Sequence, residues 1–408
     1  MEIKLTNVAI TNIAREIINC YKLCDHCLGR LFAKIEHGLT NNERGEKIRK
    51  KLKTKKTDIN NCELCEGLFK EIQHFADIVI DEIKNYEFET YLIGAVVDDD
   101  VVEKEEQIWE TFGLEYAEPV KTEINREVGK LIGKHFQKDV NFKNPDIMAV
   151  INTSFDVVNC QVKSVYVYGR YLKHVRGIPQ TRWPCRVCRG VGCKKCDYTG
   201  KMYETSVEEL IAKKLLEETE GDEEAFHGCG REDIDALMLG NGRPFVLEIK
   251  NPRKKKIDLS VLEKKINVFA KGNVVVKNLR FSDKKEVIRL KNADFKKTYR
   301  VLIHGEKPIS KEKLNEAAQI LQDKLISQRT PLRVVHRRAD LVREKKLINC
   351  KVESVAGHNA KLVIETDPGM YVKELISGDM GRTKPSVSEM IDNPCMVKEL
   401  DVIKVEGE

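Results

Sequence analysis

The chain has 408 residues, too many for one ordinary domain and enough for two or three with sizeable cores. No apolar run approaches the length of a membrane span, which argues against an integral membrane protein and for a cytoplasmic one. Its net charge of +6 is modest, but the basic residues are gathered in runs at 47–56, 253–256, 329–343 and 373–384. One such run is usually a solvated face. Four of them, in a chain that also carries cysteine clusters, point to a nucleic-acid partner.

The first residues, Met1 to Lys4, lead into an amphipathic stretch and do not read as a signal peptide. In a cytosolic setting the 13 cysteines are expected to be metal ligands and not disulfides. Ile10, Ile13, Ile17, Ile18 and Tyr21 recur at helical spacing, so 8–22 is predicted helical. That helix delivers Cys24 and Cys27, then a second helix or turn. A basic helix over 43–56 follows, then Cys62 and Cys65. Thiolates two residues apart can both reach one tetrahedral zinc, and a second pair completes four ligands.

From 66 to about 182 the pattern is that of an α/β or α+β binding module. Helices are predicted at 68–85, 103–112 and 122–135, and strands at 90–97, 147–152, 156–160 and 164–170. Residues 178–184 then read as a breaker. Cys185, Cys188, Cys193 and Cys196 come directly after it, with Gly190, Gly192 and Gly200 supplying tight turns. These four are again read as zinc ligands, a redox-active cluster being the weaker reading. Arg186, Arg189, Lys194 and Lys195 would soften the thiolate charge or touch phosphates.

Ser206 opens a helix with a capping-box pattern and an apolar face of Leu210, Ile211, Leu215 and Leu216. Further helices are predicted at 259–269 and 314–326, with a short helix starting at 370–376. Strands are predicted at 243–250, 273–281, 297–303, 332–335, 341–355 and 360–366. The C-terminal half is therefore one mixed sheet with helices. Gly228-Cys229-Gly230-Arg231-Glu232-Asp233 is its most informative stretch. The glycines allow close approach of backbone and ligand, and an Arg and a carboxylate follow side by side. On residue chemistry alone, Asp233 and Asp235 are even candidates for a working carboxylate, and Glu248 reads as a strand residue or ion-pair partner.

Taken together, these stretches resemble the pseudouridine synthases. The resemblance lies in Gly230-Arg231-Glu232-Asp233, in Tyr299 on a following strand, and in Gly369-Met370-Tyr371-Val372-Lys373-Glu374-Leu375. The order of cysteine knuckles, a THUMP-like module and this catalytic half is similar to the archaeal and eukaryotic family that modifies positions 54 and 55 in the TΨC loop of tRNA. Lys373 stands where related families often have Arg. The resemblance implies an α+β protein. It would comprise a zinc-knuckle segment (1–65), a THUMP-like RNA-binding domain (66–182) and a second cysteine cluster or linker (183–205). A pseudouridine synthase domain (206–408), with a mixed, mainly antiparallel sheet and flanking helices, would follow.

It further implies that Asp233 is the catalytic carboxylate, with Lys373 as its neighbouring charge. Tyr299 and Tyr371 would bound the base, Arg231 would fill the space the base vacates, and Leu375 would be an apolar floor. No cofactor would be needed for catalysis, and zinc would be structural. The partner would be tRNA, with no membrane and no protein partner. Two other classes compete: another THUMP-bearing tRNA modifier such as a methyltransferase or thiolation enzyme, and a non-catalytic zinc-containing tRNA-binding protein. The first needs a glycine-rich strand-to-helix loop, and Gly240-Asn241-Gly242 leads into a strand instead. A carboxylate glycosidase is a more distant reading, since it leaves the cysteines unexplained.

Overall fold

The computed structural model describes residues 4–407, apart from the side chain of Arg337. Residues 1–3, on which the expectation of no signal peptide rests, lie outside the described residues. The chain divides into two compact units, Met1–Lys163 and Ser164–Glu408. Among the described residues no helix is long and apolar enough to cross a membrane.

In the first unit, helices Val8–Cys20, Asp25–Arg30 and Asn41–Leu52 gather around the first two cysteine pairs. The third begins where Thr40 and Glu43 cap each other's backbone N–H groups, satisfying donors that a helix start leaves orphaned. Helices Ile72–Ile83, Asp99–Phe112 and Val120–Phe136 then pack with a four-stranded sheet. Its strands are β1 (Thr90–Val96), β2 (Asp139–Val140), β3 (Ile147–Asn152) and β4 (Val157–Val162), ordered β2-β1-β3-β4. β1 runs parallel to β2 and β3, and β4 is antiparallel to β3. One apolar core runs from Leu5 through Leu31 and Phe75 to Ile151, so the segment expected as 1–65 and the α/β module after it share an interior.

The second unit is built on a ten-stranded sheet. Its strands are β5 (Val165–Lys173), β6 (Glu223–Gly228), β7 (Leu237–Lys250), β8 (Val274–Ser282), β9 (Lys297–Gly305), β10 (Lys324–Arg329), β11 (Val342–Ala356), β12 (Asn359–Thr366), β13 (Thr383–Lys384) and β14 (Cys395–Val405). Their order is β13-β10-β11-β12-β9-β14-β7-β5-β8, with β6 also pairing β7. Only β14 and β7 run parallel, so the sheet is mixed and mainly antiparallel, as expected. Helices Val207–Thr219 and Leu259–Phe269 cover one apolar cluster, and Lys311–Leu321 and Val372–Ser377 cover another.

Four sequence expectations need correction. The strand predicted at 164–170 was placed with the N-terminal module, but β5 pairs with β7 and β8 inside the second sheet. The helix predicted over 314–326 ends at Leu321. Asp323 takes a left-handed backbone (φ 58°), and the chain leaves it as β10. Leu325 fitted the helical period by coincidence and is 60% exposed. The apolar run 332–335 is not a strand but a 3-10 helix, Leu332–Arg337, entered from Pro331. Finally β7 starts at Leu237, not 243, because Gly240 (φ 63°) and Gly242 (φ 77°) carry a kink within the strand. A Cβ at Gly240 would stand 1.8 Å from the Ile403 carbonyl oxygen, so only glycine lets β14 lie this close.

Candidate active site and cysteine centres

The turn between β6 and β7 carries Arg231, Glu232 and Asp233, and its geometry comes from buried charge. Glu232 points inward, 1% exposed, and accepts from Arg243 Nε at 2.8 Å and from the Tyr171 hydroxyl at 2.8 Å. Arg243, also 1% exposed, donates to the Cys229 carbonyl at 2.9 Å. Gln180 donates to the Gly230 carbonyl at 2.9 Å and to the Tyr171 hydroxyl at 2.8 Å. The fully buried Lys173 ammonium sits 3.4 Å from the Asp233 carbonyl and 3.2 Å from that of Ile234. Gly230 adopts φ 71°, the left-handed region where a side chain is strained. With Glu232 drawn inward, its neighbours Arg231 and Asp233 face the other way.

They face a cleft of about 590 Å³, lined among others by Tyr299, Arg333, Tyr371 and Lys373. Lys373 Nζ lies 3.2 Å from Asp233 Oδ2 and also holds Asp235, at 2.9 and 3.1 Å from its two oxygens. Arg333 also stands 3.5 Å from Asp233 Oδ2, and its own Nε donates to Glu374 at 2.6 Å. Asp233 therefore meets two cations from two elements. Burial works to raise the Asp235 carboxyl, but Lys373 outweighs it and leaves the group below its ordinary range. Burial pushes the Tyr299 hydroxyl up to about 12, keeping it a neutral phenol at the cleft wall. Burial also lowers Lys297, whose charge lies near Arg243 in the same wall. Tyr371 is fixed through its backbone, where buried Gln328 donates to its carbonyl at 3.0 Å and accepts from its N–H at 2.8 Å. Its hydroxyl accepts from Arg338 at 3.0 Å.

Five of the six expected residues, Arg231, Asp233, Tyr299, Tyr371 and Lys373, line this one cleft. Leu375 does not. It is 0% exposed in the core beneath Val372–Ser377, and Met370, Val372, Leu400 and Val402 form the apolar wall instead. Leu375 packs into the core with the buried face of Val372–Ser377, while residues 371–373, where that helix begins, meet the cleft. Glu248 is an ion-pair partner, 3.1 Å from His227. The sequence reading missed Arg333, Glu232 and Arg243. Arg333 lay within a basic run that singled out none of its members. Nothing local marks Glu232 and Arg243 as partners, because their pairing depends on β7 folding back under the turn.

The two cysteine sets each converge. Within each set the four sulfurs lie within 4.8 Å of one another, Cys24, Cys27, Cys62 and Cys65 in one and Cys185, Cys188, Cys193 and Cys196 in the other. A tetrahedral zinc with bonds of about 2.3 Å sets its sulfurs about 3.8 Å apart. The Sγ–Sγ distances fit: 3.7 Å for Cys24–Cys65, 3.8 Å for Cys188–Cys196 and 3.7 Å for Cys193–Cys196. Backbone N–H groups aim at sulfur, from Cys24 to Cys62 at 3.2 Å, from Gly192 to Cys188 at 3.1 Å and from Gly200 to Cys196 at 3.3 Å. Such donors suit thiolates. Both sets could therefore hold structural zinc.

Residues 166–406 match the family model described as Pus10, C-terminal, and residues 75–152 match the Pus10 THUMP domain, archaeal. The chain is 41% identical to the tRNA pseudouridine synthase Pus10 of Methanothrix thermoacetophila, over 98% of this chain and 95% of that one. It is 42% identical to the protein of the same name from Methanocaldococcus jannaschii, again over 98% and 95%. The Pyrococcus furiosus protein of that name is 40% identical over 96% of this chain and 97% of its own. With near-complete coverage on both sides and the sheet, turn and cysteine sets described above, the chain belongs to the Pus10 family of tRNA pseudouridine synthases.

Proposed function

We propose that the protein isomerises uridine to pseudouridine at positions 54 and 55 in the TΨC loop of tRNA, with Asp233 as the catalytic carboxylate. The observation that carries this reading is the placement of Asp233 at the cleft, with Lys373 at 3.2 Å and Tyr299 in the same wall. Isomerisation breaks the C1′–N1 bond, turns the base, joins C5 to C1′ and releases the C5 proton. Asp233 either attacks C1′ or takes the C2′ proton, and both routes need its charge held beside the sugar. Lys373 and Arg333 both hold that oxygen in place. No electrons leave the substrate, so the chemistry requires no redox cofactor.

A uridine in a folded loop must leave its stack before it reaches the cleft. Tyr299, as a neutral phenol, offers a flat face for the base, and Tyr371 bounds the opposite side. Stacking of this kind is worth about 1–3 kcal/mol per base. Arg231, exposed at the rim, reaches the RNA the base has left. The THUMP module binds the tRNA elsewhere, and the two zinc-holding cysteine sets brace the elements that carry these surfaces. The test is mapping of pseudouridine on tRNA transcripts after incubation with the purified protein. Pseudouridine at 54 and 55 is expected. Tight tRNA binding with every uridine unchanged would overturn the reading in favour of a binding protein.

A further inference from the structure

A smaller chamber of about 240 Å³ opens beside the catalytic turn. It shares Arg231, Asp233, Arg333 and Lys373 with the main cleft, and Trp183 lines it but not that cleft. Trp183 is partly buried, with Tyr203 packed perpendicular to it at 5.7 Å and 81°. The segment that carries it is fixed by hydrogen bonds at nearly every residue. Ile178 O accepts from Lys173 at 3.1 Å, Pro179 O from Val207 N at 3.0 Å and Gln180 O from Glu208 N at 2.9 Å. Arg182 N donates to Glu208 at 2.9 Å, and Trp183 O accepts from Met202 N at 3.0 Å. The Gln180 side chain meanwhile holds the catalytic turn itself, so indole and Asp233 are set relative to each other by one network. Among the described residues neither the indole N–H nor the Arg231 guanidinium has a polar partner.

An aromatic wall, an unpaired guanidinium and a direct opening onto the site that receives a flipped uridine fit one class of ligand. We infer that this chamber is a second nucleotide site, where the base adjacent to the isomerised uridine stacks on Trp183 and its phosphate meets Arg231. The inference rests on the proposed function for the identity of the RNA. It explains how a nucleotide bordering the target is kept unstacked while the target is turned. A planar base needs a flat partner more than it needs a specific edge, so any base is accepted at this position.

The chain has two tryptophans, Trp109 and Trp183, which permits a direct readout. In the Trp109→Phe protein, tRNA binding is expected to quench the Trp183 emission. A transcript with an abasic site next to the target uridine should bind without that quench. On intact tRNA, Trp183→Ala is expected to lower kcat/KM by about 5- to 150-fold, the span of one lost base stack. On the abasic transcript the same substitution should change little, and Trp183→Phe should retain most activity on intact tRNA. Equal losses for Trp183→Ala on both transcripts would mean a merely structural tryptophan and would overturn the inference, as would binding of intact tRNA without quenching. A protein that shows the quench but forms no pseudouridine would count against the proposed function and support the stacking site.

Discussion

Replacing Glu232 with Ala removes the acid that, among the described residues, pairs with buried Arg243. Both side chains are 1% exposed, and the Tyr171 hydroxyl shares the same carboxylate. Taking away one partner of a buried ion pair leaves an uncompensated charge and costs about 3–5 kcal/mol. For a unit of this size, each kcal/mol is worth about 2–4 °C, so the midpoint of thermal unfolding should fall by about 6–20 °C. The turn carrying Asp233 would also lose its inward anchor, and a displacement of about 1 Å at the carboxylate proposed to react would cost about 100-fold in rate. Urea unfolding of Glu232→Ala, Arg243→Met and the double variant measures the pair directly. The double variant should be more stable than Glu232→Ala alone, because it buries no orphaned charge. A loss below about 1 kcal/mol for Glu232→Ala, or a double variant no better than it, would refute this account of how the turn is held.

Other expectations follow from named contacts. Arg333→Ala removes one of the two cations beside Asp233 and should lower kcat by about 10- to 100-fold with a smaller change in KM, read in steady-state assays. Asp235→Asn frees Lys373 from one of its two carboxylates, and a fall in kcat with tRNA affinity retained would identify Asp235 as a residue that positions Lys373. Metal analysis should give one zinc fewer per chain in the Cys188→Ser/Cys196→Ser protein than in the unaltered one. Arg280, with Ser282 and Arg289, holds the Glu286 carboxyl down at about 2, against an ordinary 4.5. Its folded value lies below its unfolded one, so its contribution is full above pH 4.5 and is lost as pH falls towards 2. Acid unfolding curves of Glu286→Gln should lack that part of the pH dependence.

The sequence carried what is periodic or local. Strand Ile147–Asn152 and helix Leu259–Phe269 have the predicted bounds, because each buries one clean face. The helix start at Ser206 is capped, with the serine hydroxyl accepting from Glu209 N, but the Glu209 carboxylate accepts from the Ser206 hydroxyl and not from its backbone N–H, so the capping box is half formed. The paired cysteines and the Gly230 turn were equally legible, since short spacing constrains them. What stayed hidden depends on distant chain. The strand Val165–Lys173 has the pattern of any buried strand, and only its pairing decides which sheet it joins. Leu375 sits within a motif whose neighbours reach the cleft, yet the helix turns it into the core. Glu232 was passed over beside Asp233 because a buried acid and an exposed one look alike until Arg243 arrives beneath them. The strand Cys395–Val405 was not predicted, because Lys398, Glu399, Asp401 and Lys404 mask its apolar positions.

The most direct test of the account is a single-turnover assay of Asp233→Ala on a tRNA transcript, with binding measured on the same preparation. The account predicts tRNA binding close to that of the unaltered protein and no pseudouridine at position 54 or 55. Pseudouridine formed at the unaltered rate would show that Asp233 is not the reacting carboxylate and would contradict the central claim.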